Sequence, residues 1–86
     1  MPLDWKPRGR DLVVGDIHWL ARISDKARAH LNGRIGDYIY PCPADRSFID
    51  KRQLTEAEFT QLVSDNPTDA MMIERIREND AKKNIR

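Results

Sequence analysis

From Ile17 to Leu31 the apolar residues Ile17, Leu20, Ile23, Ala27 and Leu31 recur at steps of three and four, which is one stripe of an amphipathic α-helix. Asp16 precedes the stripe, where its carboxylate would accept from the free amides of a first turn. Gly33 follows it, where a left-handed residue ends a helix. The spacing predicts the principal core helix between them.

Further along, Leu54-Thr55-Glu56-Ala57-Glu58-Phe59 combines two start signals. Thr55 and Glu58 have capping-box spacing, and Leu54 and Phe59 stand where a hydrophobic staple would close over the turn. A helix is expected from Glu56, burying Phe59, Leu62 and Val63 and stopping before Asn66-Pro67. Thr68 caps a last helix, with Asp69 near its positive end and Met72, Ile73 and Ile76 as its apolar stripe. Residues 77–86 carry mostly charge and are expected to be a solvated, frayed end.

Between these helices, Arg34 to Tyr40 reads as a turn and then a short β-prone run. Pro43 suits the first position of another short helix, with Cys42 as its cap or the residue just before it and Phe48 and Ile49 turned inward. Prolines 2 and 7 and glycines 9 and 15 punctuate the N-terminus too often for a helix, so an extended arm anchored by Trp5, Leu12 and Val13 is expected. The predicted fold is mainly α: a compact single domain of about four helices with at most a minimal strand near Tyr38 to Tyr40. Residues 1–15 form the arm, 16–79 the helical domain and 80–86 the solvated tail.

Eighty-six residues allow one modest core, since a chain this short buries roughly 60–65% of its unfolded surface. Fifteen basic against fourteen acidic side chains leave a net charge of +1, so no global field draws the chain to nucleic acid or anionic lipid. The apolar runs, such as Leu12-Val13-Val14, fall far short of the roughly 20 residues that span a bilayer. One cysteine and an N-terminus without a signal-like apolar stretch favour a reducing, cytoplasmic setting.

Candidate chemistry is concentrated in Tyr38-Ile39-Tyr40-Pro41-Cys42-Pro43-Ala44-Asp45. A thiol at a helix N-terminus can act as nucleophile or redox sensor, but Asp45 would oppose its ionisation, and burial as a structural cysteine is the plainer expectation. Tyr38 and Tyr40 would share one side of an extended segment, suiting core packing or stacking on a planar ligand. No zinc-ligand spacing, glycine-rich phosphate loop or catalytic triad order is present, and no cofactor is expected. On the first helix His18, Arg22, Asp25, Lys26 and Ala29 fall on one polar face, with Arg22 and Asp25 spaced as an ion pair. Pro7-Arg8-Gly9-Arg10 resembles the core of an AT-hook, a minor-groove DNA arm, although Asp11 replaces the closing proline and would meet phosphates unfavourably.

Taken together, Pro7-Arg8, the block Leu20 to Ala29, Tyr38-x-Tyr40-x-Cys42-Pro43-x-Asp45, Glu58-Phe59 and Thr68-Asp69 resemble a small bacterial family, domain of unknown function 5069. The likeness runs from about residue 5 to 78. Ala21, Pro41 and Arg75 depart from the family pattern, the last in place of an aromatic anchor in the final helix. The resemblance implies no particular activity, but its pattern includes Arg22, Asp25, Lys26, Tyr38, Tyr40, Cys42 and Asp45. The expected function is therefore a binding module whose patch of those seven residues recognises an anionic or polar ligand or a partner protein. A thiol-dependent enzyme or redox sensor using Cys42 ranks second, and DNA binding through the arm third. Membrane association is not expected, and the sequence leaves the oligomeric state open.

Overall fold

The computed structural model describes residues 6–85. Its first regular element is a hairpin of two antiparallel strands, β1 (Val13–Val14) and β2 (Ile17–His18), paired Val13 to His18 and Val14 to Ile17. The two turn residues both adopt positive φ, 56° at Gly15 and 60° at Asp16, as a tight two-residue hairpin requires. Asp16 thus turns a hairpin and caps no helix. Gly15 is obligatory for a second reason: a Cβ there would lie 2.7 Å from the Ile73 side chain.

Four helices follow: α1 (Leu20–Leu31), α2 (Pro43–Lys51), α3 (Glu56–Asp65) and α4 (Asp69–Lys82). The domain is therefore mainly α, with its strands at residues 13–18; the segment at Tyr38 to Tyr40 is irregular and contains the cis peptide Tyr40-Pro41. Of the expected arm anchors, Trp5 lies outside the described residues, while Leu12 and Val13 are exposed. Pro7 is buried instead, and Arg8 makes the arm's polar attachments.

α1 is the central helix and packs chiefly on α3. Leu20, Ile23 and Ala27 are buried as the stripe predicts, Ile17 is buried from β2, and Leu31 is exposed. Its end is as expected, with Gly33 at φ 66° and the Arg34 amide returning to the Ala29 carbonyl. α3 begins with the reciprocal Thr55–Glu58 capping box, and the Thr68 hydroxyl accepts from the Met71 amide at the start of α4. Phe59, Val63, Met72 and Ile76 complete the core, with Phe59 edge-on to Phe48 at 5.9 Å. The charged end of α4 is helical to Lys82 and is held to the α2–α3 link by Arg52–Asp80 at 2.6 Å and by Asn79 donating to the Arg52 carbonyl.

Candidate functional site

Lys26, on α1, does not face water. It is 3% exposed and its ammonium lies 2.7 Å from Asp45 of α2, which is fully buried. Asp45 occupies the third position of a helix begun by Pro43 and capped by Cys42, so its carboxylate folds back to accept the Cys42 amide at 3.0 Å. It also accepts the Trp19 indole N–H at 2.7 Å. Lys26 donates in turn to Cys42 Sγ at 3.3 Å. A buried carboxylate with three donors and a buried ammonium with two acceptors are both compensated, as burial of charge demands.

Trp19 reaches Asp45 by taking φ 73° just before α1, a conformation that costs a bulky residue about 1–3 kcal/mol and that persists where surrounding contacts over-determine it. Those contacts are the indole bond to Asp45 on one side and the Arg22 guanidinium, 5.8 Å from the ring centre, on the other. Arg22 lies 5.9 Å from the Tyr38 ring as well, and donates to the Arg8 carbonyl at 3.1 Å. Trp19 also helps line an open groove of about 870 Å³ shared with His18, Phe48, Lys51, Arg52 and Asp80.

Asp25 pairs with Arg8, not with Arg22: the Arg8 amide, Nε and Nη2 all donate to its carboxylate at 2.8–3.0 Å. The same guanidinium grips Asp69 of α4, so one arginine ties the arm to two helices. An AT-hook engaged with DNA would have to break this clamp. Tyr40 departs from Tyr38: it is buried, its hydroxyl 2.8 Å from Thr60 Oγ1 and its ring against His30.

Of the seven predicted residues, Arg22, Lys26, Cys42 and Asp45 thus join one network through Trp19. Asp25 enters it through Arg8, Tyr38 flanks Arg22, and Tyr40 belongs to the core. Trp19 and Asp69 were not among the predicted site residues. A tryptophan carries its own signal, because a buried indole N–H needs an acceptor, but nothing in the local pattern says that the acceptor is 26 residues away. Among the described residues no group of three or more His, Cys, Asp or Glu could hold a metal ion, and no helix is long and apolar enough to cross a membrane.

The electrostatics predict acid lability. Burial alone would raise the Asp45 carboxyl, but the bonds from Lys26, Trp19 and the Cys42 amide outweigh it and hold the group below the usual carboxylate range. Arg8 lowers Asp69 in the same sense. Groups held more ionised in the fold than in the unfolded chain contribute fully above pH of about 4 and lose that contribution as pH falls through their folded values. Urea denaturation between pH 6 and pH 2 is therefore expected to show falling stability, with a smaller fall in Asp69→Asn. A flat profile would contradict the geometry.

Fold and network together define a small mainly α domain built around a buried lysine–aspartate pair, with a partly exposed aromatic and arginine cluster beside it. The profile of the family described as Domain of unknown function (DUF5069) matches residues 5–86, and the chain belongs to that family. No curated protein matches the chain at a significant level.

Proposed function

We propose that the domain is a binding module that recognises an anionic or polar group, on a small ligand or a partner protein, at the Trp19–Arg22–Tyr38 cluster. One observation supports this reading above others. Arg22 is half-buried and oriented by two aromatic rings and a backbone carbonyl, yet among the described residues it has no carboxylate partner, unlike Arg8, Lys26 and Arg52. A positioned guanidinium loses little freedom on engaging an oxyanion, and its planar fork suits phosphate or carboxylate. Lys26, Cys42 and Asp45 serve as the rigid floor that keeps Trp19 in place. A cytoplasmic setting suits the unpaired thiol.

Inorganic phosphate is the probe. Titration followed by NMR is expected to give saturable shifts at the Trp19 indole and the Arg22 side chain, absent in Arg22→Ala and retained in Asp65→Ala. Shifts that never saturate, or that survive in Arg22→Ala, would overturn the reading. The thiol-dependent alternative is favoured by one contact, Lys26 Nζ to the sulfur of the partly exposed Cys42. Iodoacetamide labelling across pH separates it, since a catalytic thiolate labels fast in the folded state and an ordinary thiol does not.

A further inference from the structure

Cys42 Sγ and Lys26 Nζ are two potential reaction partners held 3.3 Å apart by different helices. Their exposures differ. Cys42 is partly open to solvent, whereas Lys26 is 3% exposed and held from behind by Asp45. A small oxidant entering from solvent therefore meets the sulfur first. The chain has no second cysteine, so the group within the domain that is placed to capture an oxidised sulfur is an amine.

We propose that Cys42 and Lys26 form a modification site at which hydrogen peroxide produces a covalent sulfenamide crosslink between α1 and the start of α2. In the first step an S–O bond forms as the peroxide O–O bond breaks. Sulfur is oxidised by two electrons to the sulfenic acid, and the second peroxide oxygen leaves as water with the thiol proton. In the second step Lys26 Nζ, after releasing its ammonium proton, forms an S–N bond while the S–O bond breaks, and the hydroxyl leaves as water with an amine proton. The sum converts thiol, ammonium and peroxide into sulfenamide, two waters and one proton. Dithiol reverses it: one thiolate attacks the sulfur, the S–N bond breaks and the amine leaves with a proton, and the second thiol then displaces Cys42 from the mixed disulfide as the reagent closes to its own disulfide.

The product has a structural consequence. The cation opposite Asp45 becomes a neutral nitrogen, leaving a buried carboxylate without an opposing charge, held by the neutral Trp19 indole and Cys42 amide. Oxidation thus acts on the contact that positions Trp19. This inference is independent of the anion reading, because it needs neither Arg22 nor Tyr38.

The test is intact-mass measurement of the full chain after hydrogen peroxide treatment. The expected result is a loss of about 2 Da, a digest containing a peptide that joins Lys26 to Cys42, and restoration by dithiothreitol. The same treatment in urea, where the two side chains are no longer held together, is expected to give only gains of about 16 Da or multiples of it. Lys26→Arg keeps a cation for Asp45 but has no amine to capture sulfur, so it too is expected to gain mass. A folded wild-type chain that only gains mass, or that still releases a peptide ending at unmodified Lys26, overturns the proposal, and that peptide map decides even if Lys26→Arg does not fold.

Discussion

Asp45→Ala is expected to destabilise the domain by about 3–5 kcal/mol, the range for removing one partner of a buried ion pair. The reason is the state of what remains. Lys26 would lose the carboxylate that compensates its burial at 3% exposure and have only a sulfur to donate to, and the Trp19 indole and Cys42 amide would lose their acceptor. Trp19 would then hold its left-handed backbone without the bond that over-determines it. Against a total of about 5–15 kcal/mol for a small domain, this is a large share. Urea denaturation followed by circular dichroism measures it, and a loss under about 1 kcal/mol would show that the pair is not what holds α1 to α2. The double variant Lys26→Met with Asp45→Leu is expected to recover most of the loss, since apolar replacement removes the desolvation penalty along with the attraction. If it does not, the bonds from Trp19 and Cys42 matter more than the ion pair.

Phe59→Ala is expected to cost about 3–5 kcal/mol as well, here by leaving a cavity. Phe59 is wholly buried, edge-on to Phe48 and surrounded by core residues from α1 and α4. For a chain of this size that loss lowers the thermal midpoint by roughly 15 °C or more, measurable by calorimetry. Leu31→Ala is the matched control. Leu31 continues the apolar stripe of α1 in sequence but is 47% exposed, so its truncation is expected to fall within about 0.5 kcal/mol. Equal losses at the two positions would mean that the stripe, not the observed packing, describes the core.

Legibility followed the range of the forces involved. The Thr55–Glu58 box, the Thr68 cap, the Pro43 helix start and the Gly33 stop were readable because each bond closes within a few residues. The hairpin was readable in principle: Gly15-Asp16 between Val13-Val14 and Ile17 is a turn signal, but the helical stripe begins at Ile17 and masks it. Tyr38 and Tyr40 would share a face only in an extended strand, and the irregular chain around Pro41 sends one to Arg22 and the other to Thr60.

The residues of the site were largely present in the pattern, whereas their roles were not. A helical wheel places Lys26 and Asp25 on a polar face, and it has no means of showing that α2 and the arm cover that face. Burial of Lys26 depends on Asp45 arriving from α2, and the partner of Asp25 comes from Arg8, 17 positions away. Local hydrogen bonding and periodicity therefore specified the four helices and most of their ends from the chain alone, the start of α1 and the end of α4 excepted. Which charges became buried pairs, and which guanidinium came to lie between two aromatic rings, depended on long-range packing, because a charge pairs with whatever the fold brings within a few ångströms of it.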